Sequence, residues 1–131
     1  MAYTGVAVSD PVFNTCFADQ QLGYSAAAES AVTQLTSKAT AVTANTSNIQ
    51  ITMNNAALAA GAIVSFTLNN SLISSRDVLI VNVSGGNATA GTYTTFVSTI
   101  TTGSAVLSLY NISGGSLSEA VKLNVAIIHG A

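Results

Sequence analysis

The sequence predicts an all-β domain: an antiparallel two-sheet sandwich, jelly-roll-like, with an irregular N-terminal arm. Three observations carry that expectation. From residue 49 onward, short runs rich in Val, Ile, Leu and Thr recur along the chain, as strands do. Between them stand turn clusters that supply glycine, namely Ser84-Gly85-Gly86-Asn87, Thr101-Thr102-Gly103 and Ser113-Gly114-Gly115-Ser116. Within several runs, apolar and polar residues alternate with period two, which gives each strand one core face. A single open sheet would leave that face wet, so two sheets packed face to face or a closed barrel must form, and the sandwich is the expectation.

The elements follow in order. Residues 1–24 hold Gly5, Asp10-Pro11 and Gly23 as punctuators with little periodicity, and read as an arm. Val12, Phe13, Cys16, Phe17, Leu22 and Tyr24 give the arm apolar surface that must pack onto its own domain or a neighbour. Residues 26–34 have helical propensity, with Ser25 as N-cap. The threonines that follow, with Val42, pull residues 33–43 toward extended structure. Ile49, Ile51 and Met53 alternate with Gln50 and Thr52, and Ala62, Val64, Phe66 and Leu68 with Ser65 and Thr67. Residues 78–83 are apolar at nearly every position, which predicts a central strand covered on both faces. Residues 93–100, 104–110 and 121–128 complete the set, the last with Val121, Leu123, Val125 and Ile127 on one face. The expected division is therefore an arm over 1–24 and a β-sandwich domain over 25–131. Asn82-Val83-Ser84-Gly85-Gly86 and Asn111-Ile112-Ser113-Gly114-Gly115 read as two analogous hairpin turns rather than a repeat.

Composition narrows function. Of 131 residues, 6% are charged and 49% hydrophobic, with net charge −2; soluble domains ordinarily carry about 25% charged residues. No basic patch can neutralise a run of phosphates, so neither nucleic acid nor an anionic membrane is an expected partner. No run approaches the ~20 apolar residues of a spanning helix, and residues 1–11 lack the pattern of a secretory leader. So thin a charge coat suits a surface buried against other subunits, and a homo-oligomer is expected.

Candidate chemistry is sparse. One cysteine and one histidine cannot build a zinc site or a disulfide framework. Cys16 has no nearby base and reads as a buried apolar thiol. His129, third from the C-terminus of the sequence, reads as a poorly held surface or interface histidine rather than a catalytic base. Asp10, Asp19, Glu29, Asp77 and Glu119 are scattered without the spacing of a catalytic pair. Arg76-Asp77 reads as an exposed ion pair or a turn hydrogen bond. The Gly-Gly clusters lack the ending of a phosphate loop. Neither an enzyme nor a cofactor or metal is implied.

Ile49-Gln50-Ile51-Thr52-Met53-Asn54-Asn55-Ala56-Ala57-Leu58-Ala59-Ala60-Gly61, Val64-Ser65-Phe66-Thr67-Leu68-Asn69-Asn70-Ser71 and Asp77-Val78-Leu79-Ile80-Val81-Asn82 together resemble small virion proteins of tailed phages and prophages. The resemblance continues through Gly91-Thr92-Tyr93, Gly103-Ser104, residues 111–121 and residues 123–128, and covers roughly residues 32–130. It implies a virion structural component made in the host cytoplasm. Within that class, a head decoration (cement) protein is the expectation. Such a protein would bind the major capsid protein on the outer capsid surface as a trimer and stabilise the shell. Val12, Phe13 and Phe17 of the arm would then contact the capsid or a neighbouring subunit, adding affinity through multiple attachment. The alternative is a tail or fibre module that binds a host receptor or glycan through the loops at 84–91 and 113–118.

Overall fold

The structure is a computed structural model that describes residues 12–130. Eight strands form within them: β1 (Glu29–Thr33), β2 (Val42–Thr43), β3 (Asn48–Thr52), β4 (Ile63–Asn69), β5 (Val78–Gly85), β6 (Tyr93–Thr101), β7 (Ser104–Asn111) and β8 (Lys122–Ile128). They make two four-stranded sheets, ordered β1-β3-β8-β5 and β2-β4-β7-β6. The two sheets pack face to face as a sandwich, not a closed barrel.

Alternation dictates the packing. Ile49, Ile51, Leu79, Leu123, Val125 and Ile127 point inward from the first sheet and Phe66, Leu68, Ala105, Leu107 and Leu109 from the second, all buried. Burying such side chains contributes about 1.5–3 kcal/mol each and is the main force holding the sheets together. The chain changes sheet at every connection but one. The exception is the β6–β7 hairpin, closed by Thr102 and Gly103 between the paired Thr101 and Ser104.

Four expectations are corrected. The sheets are mixed: β3–β8, β5–β8, β4–β7 and β6–β7 are antiparallel, but β1 lies parallel to β3 and β2 parallel to β4. The chain crosses to the other sheet between β1 and β3, and again between β2 and β4, so each pair runs in the same direction. Residues 26–34 give only a 3-10 turn at Ala26–Ala28 before β1. A helix that short cannot repay its nucleation, and β-branched Val32 and Thr33 pair instead with Ile51 and Thr52. β5 is an edge strand, not a central one, and leaves Val78 57% and Ile80 47% exposed. Finally, the two Asn-x-Ser-Gly-Gly segments do not close hairpins, because both lead from one sheet to the other. Asn111 is fully buried and knits its loop, donating to the carbonyls of Leu58 and Gly115 (both 2.8 Å) and accepting from Ser113. Asn82 is exposed on the outer face of β5.

Candidate interaction surface

Among the described residues, two buried polar clusters hold an ionisable side chain, and each knits loops together. In the first, the Asp77 carboxylate has no solvent exposure. It accepts from Ser74 N (2.8 Å), Ser74 Oγ (2.7 Å) and Gly130 N (2.9 Å), and lies 2.8 Å from His129 Nδ1. The Ser74 hydrogen bonds above all hold its pKa well below the usual carboxylate range. His129, expected to be poorly held, is 66% exposed yet anchored at one nitrogen. Of the two readings of Arg76-Asp77, the turn hydrogen bond holds, Asp77 accepting from Ser74 three residues before it, and the exposed ion pair does not, since the carboxylate is buried. Ser74 Oγ donates to the carboxylate and not to the imidazole, so serine and base are not coupled as nucleophilic catalysis requires.

In the second cluster, Lys38 is buried, with Nζ donating to the carbonyls of Asn54 and of Glu119 (2.6 Å). Burial pushes its ammonium pKa down, and the Glu119 carboxylate partly opposes this. Gln34, also buried, donates to the carbonyls of Lys38 (2.9 Å) and Thr40 (2.8 Å), while its own oxygen accepts from Asn54 N. Glu119 Oε1 accepts from Ala88 N at 2.7 Å. Among the described residues, Glu119 Oε2 and the Tyr93 hydroxyl are buried without a hydrogen-bond partner. Burial first, then the Glu119 carboxylate beside it, push the Tyr93 phenol up to about 12. The two groups are neighbours without hydrogen-bond geometry. Sequence reasoning missed this cluster, because the partners of Lys38 are backbone carbonyls, which leave no signature in residue type.

No three His, Cys, Asp or Glu side chains among the described residues converge as metal ligands. No helix there is long and apolar enough to cross a membrane. The prominent surface features are apolar. Val12, Phe13 and Phe17 are 95%, 65% and 91% exposed, and Leu22 is exposed as well. No regular structure forms from residue 12 to Ser25, and the Tyr24 hydroxyl donates to the carbonyl of Ile127, tying the root of the arm to the end of β8. Cys16, expected to be buried, is exposed on this arm, as are the described residues around it. A second apolar patch lies at the β5 edge, where Val78 pairs with Ile128, itself exposed, and Ile80 stands two residues on.

Comparison with known proteins gives no matching family model, no matching curated protein and no matching solved structure.

Proposed function

We propose that this protein is a phage virion structural component, most consistent with a head decoration (cement) protein. It would bind the major capsid protein on the outer shell as a trimer and have no enzymatic activity. One observation carries the reading: a small sandwich presents an arm whose Val12, Phe13 and Phe17 are 65–95% exposed. Apolar side chains on that scale are retained at a surface when another protein covers them. The low charge of the chain agrees, since interface cores are depleted in charged residues. So does the resemblance of residues 32–130 to small virion proteins. The loops at 84–91 and 113–118 hold no aromatic residue, which weighs against the receptor-binding alternative.

Removing residues 2–23 and measuring co-sedimentation with undecorated capsids tests the role given to the arm. Shortened protein should fold, since residues 12–23 contribute no strand to the sandwich, and should lose most of its capsid occupancy. Unchanged occupancy would overturn the assignment of Val12, Phe13 and Phe17 as contact residues.

A further inference from the structure

We propose that the arm of one copy adds as an extra strand to the free edge of β5 in a second copy, with Phe13 and Phe17 entering the groove between that copy's β5 and β6. Proteins normally blunt their sheet edges with charge, proline, bulges or very short strands. Here the two sides of the sandwich differ. On one side β2 is two residues long and β1 begins with Glu29. On the other, β5 runs for eight residues without a charge or a proline, and its outer face exposes Val78 and Ile80. Both edges on this side are bulged, but β6, the matching edge of the second sheet, in its middle, between Val97 and Thr99, and β5 only near its end, between Val83 and Gly85, so residues 78–83 of β5 make the longer regular edge to receive a strand.

The arm has the complementary chemistry. Residues 12–18 carry no charge, and Phe13, Thr15 and Phe17 fall on one side of an extended chain. A strand added to β5 directs alternate side chains toward the sandwich interior. There a groove of about 390 Å³ is lined by Leu79 of β5 and Val97 and Ile100 of β6. The backbone of the added strand would supply affinity and the pockets for alternate side chains specificity.

The occupant is a second copy because, within one chain, arm and groove stay apart: Phe17 is 91% and Val78 57% exposed. Area supports exchange. Two phenylalanines bury about 150–250 Å² each. With an equal area covered on the receiving strands, the two rings account for about 600–1,000 Å² of the roughly 1,200 Å² of a stable interface, and Val12 with the backbone of the added strand supplies the remainder. The contact is heterologous, arm to edge, so it closes into a ring when the rotation between copies permits. It concerns the purified protein alone and stands or falls separately from capsid binding.

Cys16, the only cysteine, is a native probe on the arm. With Phe13 and Phe17 turned inward, Cys16 falls on the outer face, the face on which β5 carries Val78, Ile80 and Asn82. Full-length Ile80→Cys, oxidised mildly, should give disulfide-linked species of two or more chains, whereas Ala31→Cys on β1 should not. In solution the unmodified chain should have the mass of an oligomer, and Phe13→Asp with Phe17→Asp the mass of a monomer. A monomeric unmodified chain, a disulfide confined to single chains, or equal cross-linking at position 31 would overturn the proposal.

Discussion

His129 Nδ1 lies 2.8 Å from Oδ1 of Asp77, a carboxylate with no solvent exposure, and the contact ties the residue after β8 to the loop that opens β5. Gly130 tightens the same clamp. Its N–H donates to Asp77, and a Cβ at that position would stand 2.1 Å from the Arg76 carbonyl oxygen, leaving no room for a side chain. The clamp therefore fixes the start of the β5 edge on which the arm-exchange proposal depends.

Asp77→Asn should lower the melting temperature at neutral pH, because an amide presents N–H groups where Ser74 and Gly130 donate. The pKa of Asp77 is lowered on folding, so its contribution is full above the ordinary value of 3.8 and is lost as pH falls below it. Thermal unfolding from neutral to strongly acidic pH should therefore show a constant gap between the native chain and the variant above that value, narrowing below it. A gap that widens in acid would contradict the assignment.

Tyr93 gives the opposite sign. Its pKa is raised on folding from 10.0 to about 12, so the stability it contributes is present below pH 10.0 and is lost as pH rises through about 12. In an absorbance titration of phenolate formation in the folded protein, Tyr93→Phe should remove the component that ionises at the highest pH. Removal of an earlier component instead would show that Tyr93 is not the shielded phenol.

Gly86 and Gly91 separate two costs of a side chain. Both have positive φ, +80° and +75°, but a Cβ on Gly86 would lie 2.1 Å from the Ala120 carbonyl oxygen, whereas one on Gly91 would meet nothing within 4 Å. Gly91→Ala should cost about 1–2 kcal/mol from backbone conformation alone. Gly86→Ala should cost more, since a backbone carbonyl must move. Denaturant unfolding of the two variants checks the ranking.

The strands from β3 onward are legible as β-branched and apolar runs between turn clusters, and β3, β4 and β8 also by their period. Ile49 and Ile51 against Gln50 and Thr52 mark β3, and Leu123, Val125 and Ile127 mark β8, within a residue or two of the observed bounds. Pairing was not legible. The uniformly apolar run of β5 reads as buried on both faces, but its exposed Val78 and Ile80 belong to an edge, and sequence period cannot say whether another chain will cover it. The Asp77 clamp was hidden by distance along the chain, its histidine lying 52 residues away. Lys38 was hidden by type, since lysine ordinarily marks the surface.

The measurement that bears most directly on the virion reading is cryo-electron microscopy of undecorated, expanded capsids mixed with the purified protein, with the protein's solution mass measured alongside. The reading predicts density at capsid three-fold positions or capsomer centres that accommodates this sandwich, with its arm in contact with capsid or neighbouring copies. Bare capsids, with the protein found instead on tails or host cells, would contradict it.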